Sequence, residues 1–296
     1  MQYIGINHDG DTWAAALAGT GPGGVRVFPL APVTDFWADA DGWQEKAQSL
    51  VAGAGSVPIE QGSVERGTVA EVPLVPASAR VICVGLNYKA HAAEGSYKDQ
   101  ELPAYPTLFG RWTASLSVGH VPVPVPGGEA GLDWEGEVAA YIGRRAESVT
   151  EDQAAEAIFG YSTFNDITAR RAQKLTSQWA LGKNGDFTGP LGPLVSRDEV
   201  GDLRDGLELR TRVNGTEVQH GNTRDMIFSV PAIISLISHT FTLHPGDVIA
   251  TGTPEGVGYA RSPQWLLQPG DTVEVEIERL GTLVTPVGEP SLRARA

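Results

Sequence analysis

Several things are scarce in this chain, and each scarcity removes a class of function. There is one cysteine, Cys83, so no disulfide can close within the chain, and its setting in Val-Ile-Cys-Val reads as a small core hydrophobe. That usage fits a reducing compartment. The N-terminus, Met-Gln-Tyr-Ile-Gly-Ile-Asn-His, has neither a basic leader nor an apolar core, which predicts a cytoplasmic protein without an export or transit signal. No apolar run approaches the roughly 18 residues that cross a bilayer; the longest candidate, Val230 to Ile237, reads as a buried helix. Positive charge is scarce too: 22 Lys and Arg stand against 36 Asp and Glu, a net −14. With no local basic cluster to offset it, such a surface repels phosphate backbones and argues against nucleic-acid binding. No Gly-x-Ser-x-Gly elbow occurs, and Gly-rich stretches such as Gly21-Pro22-Gly23-Gly24 lack the Lys-Ser/Thr of a phosphate loop. The histidines outside residue 91 share no spacing with cysteine or carboxylates that would suit zinc.

What is present is a chain of 296 residues, 41% hydrophobic, long enough for a large domain and a smaller one. Short alternating runs such as Tyr3-Ile4-Gly5-Ile6 and Val25-Arg26-Val27-Phe28 predict a small strand-rich N-terminal domain over 1–75, with one amphipathic helix near Trp43 to Val51. A main domain over 76–288 reads as β-rich with three or four helical segments, around His91, after Asp166 and from Asp225 to Phe241. A short tail, 289–296, follows. The fold class is therefore mainly β with a few helices, α+β. Pro245-Gly246-Asp247 and Pro269-Gly270-Asp271 repeat one turn type feeding a strand.

Three segments carry groups suited to chemistry. Asp133-Trp134-Glu135-Gly136-Glu137-Val138-Ala139-Ala140-Tyr141-Ile142 reads as a strand, so Glu135 and Glu137, with Asp133, project from one face. Carboxylates held this close repel unless a proton or a cation neutralises them, and oxygen donors suit Mg²⁺, Mn²⁺ or Ca²⁺. A solvated strand face would show the same spacing. Asp166, at the end of Tyr161-Ser162-Thr163-Phe164-Asn165, marks a strand-to-helix junction, where it serves as a third ligand or as a helix N-cap. A helix after it would place Arg170 and Gln173 on its face, able to grip an anionic substrate. Within Asn87-Tyr88-Lys89-Ala90-His91-Ala92-Ala93-Glu94, His91 and Glu94 at i, i+3 can touch, giving an imidazole oriented to accept a proton from water, although surface His–Glu pairs of this kind are common.

Taken in order, these segments resemble the fumarylacetoacetate hydrolase family, in particular its smaller acylpyruvase-like and oxaloacetate-decarboxylase-like members. The resemblance runs from about Pro76 to Val287. It is carried by Gly85-Leu86-Asn87-Tyr88-x-x-His91-x-x-Glu94, Pro106-Thr107-Leu108-Phe109-x-Arg111, Asp133-x-Glu135-x-Glu137, Asn165-Asp166-Ile167-Thr168-Ala169-Arg170-x-x-Gln173, Gln178-Trp179-x-x-Gly182-Lys183 and Gly252-Thr253-Pro254-x-Gly256-Val257-Gly258. The resemblance implies a rolled, mixed β-structure around one divalent cation, Mg²⁺ or Mn²⁺ with Ca²⁺ also compatible, in a homodimer. Glu135, Glu137 and Asp166 fall at its ligand positions. His91 and Glu94 match its catalytic dyad, Lys183 and Gln173 fall near substrate or its water, and Thr253 falls where the substrate carboxylate is held. Arg111 stands where Lys is frequent, supplying positive charge for the substrate, and Arg171 stands where Asp commonly follows Arg170.

The implied activity is hydrolysis of a carbon–carbon bond in a 2,4-dioxo acid, of the acylpyruvate, fumarylpyruvate or diketo sugar acid type, through a metal-bound enolate. Decarboxylation of oxaloacetate or isomerisation of a 2-hydroxydienoate would use the same enolate, and a catalytically silent member would keep the fold alone. The substrate's tail is expected against Gly95 to Tyr105 and Arg261 to Trp265.

Overall fold

The computed structural model describes residues 1–19, 24–53, 63–94 and 104–289. Most of the expected 289–296 tail and of the Gly95 to Tyr105 segment therefore lies outside the described residues. Within them the chain forms two sheets, and neither closes into a barrel. The larger sheet has 13 strands, and along its main path lie Gln2–His8, Leu194–Ser196, Ile158–Asn165, Gly136–Ile142, Val248–Ala250, Val81–Gly85 and Thr107–Arg111 in that spatial order. The smaller has five, with Glu208–Val213 and Thr272–Ile277 at its centre. The class is α+β with strands dominant, as the sequence predicts.

The strand Gly136–Ile142 is buried along its whole length. Side chains alternate between faces, and both faces are covered. Val138, Ala140 and Ile142 enter the core shared with the second sheet, through Leu209, Val273 and Val275. Ala139 and Tyr141 enter the other core with Phe36, Trp37 and Phe159. This double burial explains the unbroken apolar run after Glu137 and overturns the solvated-face reading of the acidic pair.

The N-terminal strands do not stand apart. Gln2 pairs with Val195 and Tyr3 with Leu194, so this region extends the large sheet, and Trp37 stacks on Tyr141 at 5.9 Å. The helix expected near Trp43 to Val51 is present as Ala40–Gly53. Both Pro-Gly-Asp turns also form as expected: Gly246 and Gly270 have φ of 88° and 95°, and the Asp247 and Asp271 carboxylates accept from the His244 and Gln268 N–H groups. Helices are more numerous than the three or four expected, because short ones at Glu151–Glu156, Ala180–Lys183 and Arg197–Val200 fill connections between strands.

Four central strands run out toward one edge and place the candidate site. In the antiparallel pair of Gly136–Ile142 with Ile158–Asn165, Gly136 faces Asn165, and the next step is closed by the Asp166 N–H donating to the Glu135 carbonyl at 2.9 Å. Register alone therefore sets Glu135 opposite Asp166. Val248–Ala250 pairs antiparallel to the first strand and Val81–Gly85 parallel to it in turn, so the loops that follow them, carrying Thr253 and His91, arrive at the same edge.

Candidate metal and substrate site

Glu135, Glu137 and Asp166 each offer a carboxylate oxygen within 4.8 Å of the others, and all three residues are buried. Glu135 just precedes its strand and Glu137 lies within it, two residues on and on the same side. Asp133, expected beside them, turns elsewhere. Its Oδ1 accepts from the Trp134 and Gly258 N–H groups, and its Oδ2 accepts from the Tyr259 N–H and from Arg170 Nε at 2.7 Å. It is a hub that ties the Arg170 segment to the loop after Gly256. The strand correspondingly begins at Gly136, later than the sequence pattern predicts.

Asp166 is not a helix N-cap. The helix Arg170–Gln173 starts four residues later behind Ala169, and the first N–H groups of that turn, from Arg171 and Ala172, are taken by the Glu129 carboxylate. The face shared by Asp166, Arg170 and Gln173 in a continuous helix therefore does not exist. Arg170 reaches Glu135 at 2.7 Å and Asp133, and its Nη1 donates to Gln173 at 3.1 Å. Arg171 is exposed on the outside of this turn.

Cations surround two of the three carboxylates. Lys183 Nζ lies between Glu135 and Asp166, 2.7 Å from the latter, on a helix brought close by Gly182, where a Cβ would meet the Gln173 backbone at 2.6 Å. Arg111 donates Nε to Asp166 and its remaining N–H groups to Ser115, Thr188 and the Ile167 carbonyl. All of its donors are engaged behind Asp166, and it does not line the cavity where a substrate contact would be.

Glu137 differs from its neighbours. Among the described residues its polar partner is the Gly252 N–H at 2.9 Å, and no basic side chain pairs with it. Gly252 holds φ of 90°, and a Cβ there would meet Asn87 Cβ and the Val84 carbonyl oxygen at 2.9 Å, a position for glycine alone. Burial, then the charges of Asp166 and Glu135, push the Glu137 carboxyl well above its ordinary range. Burial also opposes ionisation of Glu135, but Lys183 and Arg170 outweigh it and hold that carboxyl at about 2. Lys183 is penalised by burial and pushed up by Asp166 and Glu135. Four buried carboxylates, counting Asp133, meet three buried cations, Arg111, Arg170 and Lys183. The shortfall of one positive charge falls on Glu137. An all-oxygen donor set with uncompensated negative charge fits a hard divalent cation.

Facing the carboxylates is a cavity of about 170 Å³, lined among others by His91, Glu94, Glu135, Glu137, Gln173 and Lys183. His91, on the helix Lys89–Ala92, sets Nδ1 3.2 Å from Glu94 Oε2, and Glu94 Oε1 accepts from the Gly256 N–H at 2.7 Å. Thr253 also lines the cavity, but its hydroxyl donates to the Gly136 carbonyl and accepts from Gln219. Of the sequence candidates, the structure brings all but Asp166 and Arg111 to the cavity wall, and those two form the layer behind it. Arg261 and Trp265, expected to select the substrate's tail, do not line it. Phe109, Trp179, Lys174 and Tyr259 do.

Residues 80–288 match the family model for the fumarylacetoacetate hydrolase C-terminal domain. The chain belongs to the fumarylacetoacetate hydrolase family. It is 39% identical over 265 residues to a 2,4-didehydro-3-deoxy-L-rhamnonate hydrolase of Sphingomonas, covering 85% of this chain and 90% of the relative. It is 39% identical over 219 residues to an oxaloacetate tautomerase of Bacillus subtilis, covering 73% and 72%. A solved 5-carboxymethyl-2-hydroxymuconate delta-isomerase from Mycobacterium smegmatis superposes with a TM-score of 0.75 at 30% identity, over 98% of this chain and 100% of that one. Hydrolase, tautomerase and isomerase activities thus occur on this fold. No helix among the described residues is long and apolar enough to cross a membrane.

Proposed function

We propose that this chain is a divalent-cation-dependent hydrolase that cleaves the carbon–carbon bond of a 2,4-dioxo acid. The observation that carries this reading is the His91–Glu94 pair on the wall of the same cavity as Glu135 and Glu137. A carboxylate-held cation would acidify the C3 protons of a 2-oxo acid and stabilise its enolate; an oriented imidazole beside it is a base, which in hydrolysis takes its proton from the attacking water.

Glu135, Glu137 and Asp166 would hold the cation, Mg²⁺ or Mn²⁺, which when bound supplies Lewis acidity to the 2-oxo carbonyl. With Nδ1–H donated to Glu94, His91 keeps Nε2 free to accept a proton from water. The water oxygen bonds to the C4 carbonyl carbon, the C3–C4 bond breaks, and its electron pair moves to C3 as the enolate of the 2-oxo acid. Lys183 stands as a fixed ammonium beside Glu135 and Asp166, where it stabilises that developing negative charge. Reprotonation at C3 gives the 2-oxo acid, and the acyl part leaves as a carboxylic acid.

A second reading, keto–enol tautomerisation of oxaloacetate, is favoured by the Bacillus subtilis relative. Decarboxylation of oxaloacetate and 2-hydroxydienoate isomerisation belong with it, since none of these needs attacking water. The test assays the protein with Mg²⁺ or Mn²⁺ on acetylpyruvate, fumarylpyruvate, a diketo sugar acid and oxaloacetate, with products identified. Acylpyruvate cleavage lost in His91→Ala supports hydrolysis. Cleavage unchanged in that variant, or turnover of oxaloacetate alone, overturns it.

A further inference from the structure

Among the described residues, the basic side chains that line the cavity are ion-paired with one exception. Lys183 is held by Glu135 and Asp166, Arg170 by Asp133 and Glu135, and His91 by Glu94. Lys174 also lines the cavity, yet among the described residues it makes no ion pair. Its ammonium donates to the Tyr259 hydroxyl and lies 3.9 Å from the centre of that ring. The Tyr259 phenol is correspondingly lowered by its hydrogen bond from Lys174.

This pair is placed, not stray. Lys174 caps the helix Arg170–Gln173, so it stands one turn beyond Arg170, at the i+4 spacing that makes side chains neighbours on one face. Tyr259 follows Gly258, and the N–H groups of both are held by Asp133. The carboxylate that fixes Arg170 against Glu135 therefore also fixes the loop carrying Tyr259. The two segments meet at the wall of the cavity that Glu135 and Glu137 also line. Gln173, which accepts from Arg170, lines the same cavity, while Phe109 and Trp179 stack edge to face at 5.2 Å and supply the apolar wall. A ligand with its 2-oxo acid end at the carboxylates would run a short carbon body along the aromatic wall and bring a group of opposite charge to Lys174.

Resting on the reading of this cavity as a 2-oxo acid site, we propose that Lys174, backed by Tyr259, determines specificity, and that the substrate is dicarboxylic, with the carboxylate that ends its tail against the Lys174 ammonium. Tyr259 orients the ammonium and donates the second hydrogen bond once Lys174 turns to the ligand. A charge-assisted contact of this kind changes affinity roughly ten- to hundred-fold.

Two measurements test it. In the first, kcat and KM are compared for fumarylpyruvate, which has a terminal carboxylate, and acetylpyruvate, which has none. Wild type prefers the dicarboxylate, Lys174→Met loses that preference by roughly ten- to hundred-fold with the change falling on KM, Lys174→Glu reverses it, and Tyr259→Phe weakens it several-fold. A preference that survives Lys174→Met, a wild type indifferent to the tail's charge, or a wild type that favours a polyhydroxylated neutral tail overturns the proposal. In the second, Mg²⁺-saturated protein is titrated calorimetrically with 2-oxoglutarate and with 2-oxovalerate, neither of which carries a 4-oxo group to hydrolyse. The ratio of their affinities favours 2-oxoglutarate in wild type and approaches one in Lys174→Met; equal affinities in wild type overturn the proposal. If neither acylpyruvate is cleaved but 2-oxoglutarate is selected through Lys174, hydrolysis is wrong and the tail assignment stands. If both acylpyruvates are cleaved without discrimination, hydrolysis stands and the tail assignment is wrong.

Discussion

The two sides of the cavity differ in how they are held. Glu135, Glu137 and Asp166 sit where central strands buried on both faces run out, and Arg111, Arg170 and Lys183 lock two of them from behind. His91 rides on a four-residue helix and Glu94 lies just past its end, both half-buried, and the Glu94 carboxylate ties this segment to the Gly256 N–H. The ligand side is over-determined by register and charge. The dyad side is held by a few contacts at the surface of the same core. Groups that bind a cation must be fixed while unoccupied, at the cost of stored repulsion. A base that meets its substrate from outside needs orientation more than rigidity. Stability and activity should therefore separate between the two sides.

The largest expected effect on stability lies behind the ligands. Arg111→Ala leaves Asp166 with one cation fewer and removes five buried hydrogen bonds. Urea unfolding should show a loss of about 3–5 kcal/mol, the usual cost of removing one partner of a buried pair. A loss below about 1 kcal/mol would mean that Arg111 is not the anchor its contacts suggest. On the other side, His91→Ala should lower acylpyruvate hydrolysis roughly 10²- to 10⁴-fold while the unfolding free energy changes by no more than about 0.5 kcal/mol. If that variant unfolds as readily as Arg111→Ala, the contrast between the two sides is wrong.

Cation binding sharpens the contrast from the ligand side alone. Mg²⁺ or Mn²⁺ at a hundred times its dissociation constant should stabilise the protein by about 2.7 kcal/mol, read as a rise of several degrees in Tm. His91→Ala should keep that rise and Glu137→Gln should lose it. A rise that persists in Glu137→Gln would place the ion elsewhere.

The sequence already contained much of this, but unevenly. The acidic pair and Asp166 are readable because strand period and antiparallel register are local rules, and the ordered motifs around them point to one family. The long helix over Val230–Ser238 is readable too, with Ser229 as its cap and Pro231 in its first turn. The short helix Glu151–Glu156 also carries a local signal, in the capping box that Thr150 and Gln153 form. What cannot be read depends on contacts far along the chain. Asp133 looks like a third member of an acidic row until Gly258 and Tyr259, 125 residues on in the closest of these contacts, claim it. Arg111 looks like a substrate contact until Asp166 and Thr188 exhaust its donors. Lys174 carries no motif, and its contact with Tyr259 forms only when that loop folds against it. The N-terminal segment reads as separate because its pairing with Leu194 and Val195 leaves no mark in its own sequence.

The smallest effect follows from the stored repulsion, and it distinguishes Glu137 from Glu135 by sign. The native fold raises the Glu137 carboxyl above its ordinary value of 4.5, so the folded protein without a cation retains a proton that the unfolded chain releases. That contribution is complete below the ordinary value and fades as pH rises through the folded one. Glu135, lowered to about 2, contributes above the ordinary value and fades as pH falls below it. Between pH 5 and the folded value of Glu137, EDTA-treated protein should therefore lose stability with rising pH, by at most about 1.4 kcal/mol per pH unit for one proton. Glu137→Gln, which cannot ionise, should flatten this slope and be more stable than wild type at its upper end. Saturating Mg²⁺, which stabilises the ionised carboxylate, should flatten or reverse the slope in wild type and leave Glu137→Gln unmoved. Urea midpoints across that pH range measure all three, and a wild-type slope that Glu137→Gln does not alter would show that Glu137 is already ionised and that the missing positive charge has been supplied from within the protein.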